Sequence, residues 1–179
     1  MKRILLLFAT REGQTEKIAR VITDHLEEAV ANPALVDIAE VDKTELAPLT
    51  DFDLLVFGAS LHEGRIEKSM QQFINTHAKV ISGIPHSFFL VSLSAAEKNA
   101  VQRKSWLEEA GEKVQSSLGV HFDHMEMIAG ALRYSKYSWL EKFFMKRIVG
   151  KAGGDTDTSR DYEYTDWQQV YDYARSLAN

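Results

Sequence analysis

The chain contains no cysteine, and that absence removes disulfides, thiolate catalysis, zinc fingers and cysteine-ligated iron–sulfur clusters together. Any redox chemistry has to come from a bound group. Proline is scarce, at 3 residues, and glycine reaches only 10 of 179, which excludes collagen-like and low-complexity chains. Long apolar runs are missing as well, since nothing approaches the ~20 residues that span a bilayer as a helix. Lys2 and Arg3 ahead of Ile4–Ala9 imitate a secretory signal, but Arg11 and Glu12 cut the run short, so this segment reads as a buried first strand. There is no basic excess either: the net charge is −5 and the pI near 5.7. No general positive field exists to hold a nucleic acid. What is present is apolar surface. With 45% hydrophobic and 26% charged residues, the chain can bury one core, and its length suits a single domain over 1–179.

Apolar runs and amphipathic stretches alternate along the chain. Lys2–Phe8, Ala34–Val41, Leu54–Phe57, Ser87–Leu93 and Phe122–Ala129 read as buried strands. Between them Gln14–Val30 and Glu67–Val80 carry apolar residues at helical spacing, Val101–Leu118 reads as a helix ending near Gly119, and a last helix opens at Thr165 or Asp166 and runs to Ala178. This alternation predicts a doubly wound α/β fold with a five-stranded parallel sheet in the order 2-1-3-4-5. Ligands of such sheets sit at the carboxyl ends of the strands. The loops to inspect follow Phe8, Phe57, Leu93 and Ala129.

After the first strand comes Thr10-Arg11-Glu12-Gly13-Gln14-Thr15. Unpaired N–H groups at the start of a helix, a glycine that permits close approach and two hydroxyls make a cradle for a phosphate; an ordinary Thr-capped turn is the plainer alternative. Neither the dinucleotide-binding glycine pattern, nor a Walker loop, nor a G-x-S-x-G elbow occurs. The strand, Thr10-x-x-Gly13-x-Thr15 and the helix resemble the flavin mononucleotide (FMN) phosphate loop of flavodoxins. The resemblance implies a flavodoxin-like fold, with Ala59, Ser60, Leu61, His62 and Gly64 along one side of the flavin ring and Ser92, Leu93, Ser94 and Ala95 along the other. Two departures stand out. Glu12 replaces the usual hydroxyl residue, and the aromatic residues that sandwich the ring in carriers are absent from both loops, which leaves room for a flat substrate.

Further segments narrow the resemblance. Phe8–Thr15, Gly58-Ala59-Ser60, Ile128–Tyr134, Gly153–Thr158 and Tyr164–Trp167 together are similar to the quinone-dependent protoporphyrinogen oxidases of bacterial haem synthesis. That family implies FMN as cofactor, protoporphyrinogen as substrate, a membrane quinone as electron acceptor, and a cytoplasmic position, peripheral on the inner face of the cell membrane. It also implies a long insertion after the fifth strand, here about 133–165. The insertion is aromatic and basic. On a helix Tyr137, Leu140, Phe144 and Ile148 form one stripe with Phe143 alongside, and Lys142 and Lys146 lie opposite, with Arg147 at the margin. Six basic residues face one acid, Glu141, between 133 and 151. A helix packed on the sheet, an anchor on anionic membrane and a lid over a tetrapyrrole all fit this pattern. Arg133, Tyr134, Lys136, Tyr137, Trp139, Lys142, Phe143, Lys146 and Arg147 are the expected substrate or membrane residues. His62, with an ordinary imidazole pKa of ~6.5, is the candidate base. His121 and His124 lie three apart on an expected strand and so face opposite sides, and Asp155 and Asp157 lack the full calcium pattern, so no metal is expected. The alternatives are a diffusible flavodoxin electron carrier and a cofactor-free regulatory domain. The sequence does not specify an oligomeric state.

Overall fold

In the first strand, β1 (Lys2–Ala9), every residue from Ile4 to Ala9 is buried, and successive side chains enter opposite layers. Ile4, Leu6 and Phe8 belong to one core, while Leu5, Leu7 and Ala9 belong to the other. A strand with no polar face must lie inside a sheet covered on both sides. The computed structural model describes residues 2–28, 34–41, 46–136 and 157–178, and in it β1 is the second of five parallel strands. β2 (Ala34–Glu40) and β3 (Leu54–His62) flank it, and β5 (His86–Ser92) and β6 (Met125–Ala129) extend the sheet beyond β3. The order β2-β1-β3-β5-β6 is the doubly wound order expected from the sequence.

One layer is closed by α1 (Gln14–Glu27) and α5 (Trp167–Ala178). Ile18, Ile22 and Leu26 from α1 meet Val170, Ala174 and Leu177 from α5 over the sheet residues Val56, Phe89 and Ile128. Asp166 caps α5, its Oδ1 accepting from the Gln168 and Gln169 amides at 2.9 and 3.3 Å, which decides between the two candidate caps. Tyr173 is buried and its hydroxyl meets that of Ser87 at 2.7 Å, so its polar end is satisfied. The other layer is built on α2 (Lys68–Thr76), α3 (Ala78–Ile81) and α4 (Ala100–Ser116), with Met70, Ile74, Ile81 and Val114 over Phe57, Phe88 and Leu90. The stretch expected as one helix breaks at His77, whose φ of −101° and ψ of 12° leave the helical range.

The third strand is longer than its apolar run suggests. It continues through Gly58-Ala59-Ser60-Leu61-His62, pairing Ala59 with Ala9 and Ser60 with Val91. Gly58 makes this possible: a Cβ there would lie 2.1 Å from the Phe89 ring. The chain then turns through Glu63, at φ 51°, and folds back as β4 (Arg65–Ile66), antiparallel to the end of β3. Two further short strands, β7 (Ala131–Leu132) and β8 (Tyr162–Glu163), pair antiparallel, and the Tyr164 amide donates to the Gly130 carbonyl at 3.0 Å. They clasp the two ends of the insertion beside the carboxyl end of β6.

Candidate flavin site

The turn from β1 into α1 is set by Gly13, whose φ of 92° is left-handed and open to glycine at little cost. Its amide donates to Thr10 Oγ1 at 2.9 Å, so one of the two hydroxyls organises the turn itself. The other is left over. Thr15 is 1% exposed, in the first turn of α1, and its Oγ1 is buried with no hydrogen-bond partner among the described residues. A buried orphan hydroxyl costs about 1–3 kcal/mol, and here it lies beside first-turn amides that by helix geometry also lack intrahelical partners. An anion delivered to this point would satisfy both. Gln14, also buried, points elsewhere. Its Oε1 accepts from Arg133 Nη2 at 2.7 Å, and its Nε2 donates to Thr165 Oγ1 at 2.9 Å. The Thr165 hydroxyl in turn donates to the Ala129 carbonyl at 2.7 Å.

Arg133 therefore ties the insertion's base to the start of α1. It also lies 3.5 Å from Glu163 and 3.8 Å from Asp161, while Lys17 on α1 pairs with Glu163 at 2.8 Å. Burial pushes the Glu163 carboxyl up, but Lys17, the Trp167 indole and Arg133 together hold it below its ordinary value. Tyr134, expected among the substrate or membrane residues, is completely buried, edge-on to Tyr162 at 6.3 Å. Lys136 falls in a short turn, Tyr134–Lys136, in which Ser135 binds Asp161 through its amide and hydroxyl at 2.8 and 2.6 Å. Tyr137, Trp139, Lys142, Phe143, Lys146 and Arg147 lie outside the described residues, as does Asp155.

The second wall comes from β3 and its turn. Ala59 is buried, Ser60 and Leu61 are half-buried, and His62 keeps 31% of its side chain exposed. Burial and then the nearby Arg11 guanidinium lower the His62 pKa from 6.5 to about 4, against a smaller opposing effect of Glu63. His62 is thus a neutral imidazole near neutral pH, and a much weaker base than the sequence alone implies. Behind it lies a group the sequence reading missed, Glu67, at the position that opens α2. The Ser60 hydroxyl donates to Glu67 Oε1, and His62 Nε2 lies 4.0 Å from the same oxygen. Glu67 Oε2 is buried without a partner among the described residues. Burial holds its carboxyl above the usual range, offset only in part by the Ser60 hydroxyl, its own backbone amide, Arg11 and the Ser60 amide. Nothing in the sequence separates this glutamate from the acids that commonly begin helices.

A third wall follows β5, where the short turn Leu93–Ala96 is fixed by Ser92, whose Oγ accepts from the Ser94 amide at 3.1 Å. Leu93, Ser94 and Ala95 are half-buried. Thr10–Thr15, Ala59–Gly64 and Ser92–Ala95 thus all follow or end neighbouring strands at their carboxyl ends. His121 and His124 are exposed and precede β6 rather than lying on it, with His124 Nε2 2.9 Å from Glu126. Asp157 accepts from the Ser159 amide and hydroxyl at 3.0 and 2.6 Å, forming a polar turn.

Residues 5–159 match the flavodoxin domain family. A protoporphyrinogen IX dehydrogenase (quinone) of Escherichia coli K12 is 35% identical over 179 residues, covering 99% of this chain and 95% of its own. This chain belongs to that family. A second protein of the same name, from Leishmania major, is 28% identical over 98% of this chain and 74% of its own. Among solved structures, oxidised flavodoxin 2 from Bacillus cereus superposes with a TM-score of 0.54 at 16% identity, covering 98% of this chain and 97% of the other. The family member thus keeps the flavodoxin fold.

Proposed function

We propose that this protein oxidises protoporphyrinogen IX to protoporphyrin IX with bound FMN and passes the electrons to a membrane quinone. The observation that carries this reading is the buried, unpartnered Thr15 hydroxyl at the head of α1. In a protein that belongs to this family, it is the point where a flavin phosphate completes the structure. Thr10 shapes the turn and Thr15 with the first-turn amides grips the phosphate, while Ser60–Gly64 and Ser92–Ala95 border the ring. FMN, when bound, supplies the hydride acceptor that no side chain of this cysteine-free chain can supply. The chain's own residues hold the flat substrate against that acceptor and receive the proton that leaves the macrocycle with each hydride. Arg11 keeps the pocket's edge positive near the neutral His62. The basic, aromatic insertion covers the substrate and rests on anionic membrane, placing the enzyme peripherally on the cytoplasmic face; no helix among the described residues is long and apolar enough to cross a bilayer.

The test is anaerobic turnover of protoporphyrinogen with a quinone, followed by porphyrin fluorescence, alongside FMN titration. Turnover with FMN bound supports the enzyme; FMN binding without turnover identifies a diffusible carrier, and no binding removes both. Replacing Thr15 by Val should weaken FMN binding by roughly tenfold or more, the worth of a hydrogen bond to a charged group, as read by flavin fluorescence quenching.

A further inference from the structure

Glu67 has no part in cradling a phosphate, yet it is placed as if for chemistry. Its side chain is only 13% exposed, and one carboxylate oxygen accepts from Ser60 while the other faces no donor among the described residues. A fully ionised carboxylate normally collects donors on both oxygens when buried. Around it are Arg11 from the turn after β1 and the neutral His62 at the end of β3, while Lys113 of α4 lies against Gly64 of the intervening turn. Glu63, Arg65 and Lys68, its neighbours on the turn, β4 and α2, are exposed. The Ser60 hydroxyl is the side-chain donor that joins the carboxyl to the half-buried wall of the site, and the partly exposed His62 lies 4.0 Å from the same oxygen.

We propose that Glu67 is the proton store of the site, loaded through the Ser60 hydroxyl and emptied past His62. The proposal rests on the oxidase reading above. As a pyrrole N–H of the substrate loses its proton to Ser60 Oγ, the serine's own proton passes to Glu67 Oε1. One N–H and one O–H bond break, two O–H bonds form, and the glutamate goes from −1 to neutral. No electrons move in this step; the hydride of the same round goes to the flavin. Glu67 acts through Ser60 and is a positioning and proton-holding residue, not one that touches substrate.

A glutamate kept above the ordinary carboxyl range is matched to this task near neutral pH, where an ordinary one stays ionised. Infrared titration of the FMN-free protein should show one carboxyl whose protonated C=O band persists well above the pH at which the other glutamates ionise, and Glu67→Gln should delete it. Absence of that band, or its survival in the variant, overturns the proposal. Ser60→Ala should move the band's midpoint to higher pH, because the serine hydrogen bond favours the ionised form; an unmoved midpoint overturns the link, and this arm decides if the glutamine variant fails to fold. In turnover, Glu67→Gln should lower kcat roughly a hundredfold and remove one limb of its pH profile while FMN still binds. A uniform loss at every pH denotes a structural role and sinks the relay. Failure of FMN to bind the unaltered protein would instead sink the oxidase reading and leave the infrared result standing.

Discussion

His62 and Glu67, 4.0 Å apart at their nearest polar atoms, answer pH in opposite directions although burial is the leading cause for both. An unfolded histidine takes its proton near pH 6.5, the folded His62 only near 4. Between those values the unfolded chain binds more protons, so this residue makes the protein less stable as pH falls. Glu67 does the reverse, since its folded form keeps a proton that the unfolded chain has lost, and stability declines as pH rises past the ordinary glutamate value. His62→Gln should therefore flatten the acid side of the stability curve between pH 6.5 and about 4 and leave the alkaline side alone, as read from urea midpoints across that range. A parallel drop at every pH would mean that the ring only packs. At this scale the sequence revealed the chemistry of residue types and not their surroundings. The Thr10 and Thr15 spacing admits an anion cradle or an ordinary capped turn, and which hydroxyl braces the turn and which is left over depends on the left-handed Gly13. Glu67 was illegible because its role comes from a serine seven positions away and from burial, neither of which is written in its neighbours.

Among the elements, the five strands were legible as short apolar runs closed by turn residues and α1 by its apolar period, while α4, in which Val114 is the one buried residue, and α5 were legible from their ends. Three two-residue strands, β4, β7 and β8, are too short to carry a period at all. The extension of β3 through Gly58-Ala59-Ser60 was hidden by small residues that look like a loop, and Gly58 leaves the space that the Phe89 ring occupies. The missed clasp of β7 with β8 has energetic consequences through Arg133. Its guanidinium joins Gln14 on α1 to Glu163 and Asp161 on the returning strand and the turn before it. Arg133→Met leaves Gln14, beside the flavin cradle, short of a partner and should cost about 1–3 kcal/mol of stability, measured by urea unfolding. It should weaken FMN binding too. Equal affinity for FMN would separate the clasp from the cofactor.

For the molecule as a whole, the insertion carries a charge opposite to the rest of the chain: six basic residues against one acid between 133 and 151, on a protein of net −5. Replacing residues 137–156 with a short Gly/Ser link retains the buried Tyr134 and the Arg133 network. The shortened protein should fold and bind FMN yet fail to turn over porphyrinogen; full turnover would reduce the segment to packing. Substituting Lys142, Lys146, Arg147 and Lys151 by Gln should weaken cosedimentation with anionic liposomes, each lysine or arginine near such a surface being worth about 1 kcal/mol. Unchanged sedimentation would assign membrane contact to another face.

Because Ala131 stands opposite Glu163, and Leu132 opposite Tyr162, the long excursion departs and returns through a single doorway whose two jambs are hydrogen-bonded together. A protease cutting anywhere along it would sever the covalent chain without parting the body, since α5 remains packed beside α1 on the same face of the sheet. The excursion is in that sense a detachable cassette, free to change length and content over evolutionary time while the two core layers on either side of the sheet keep their shape.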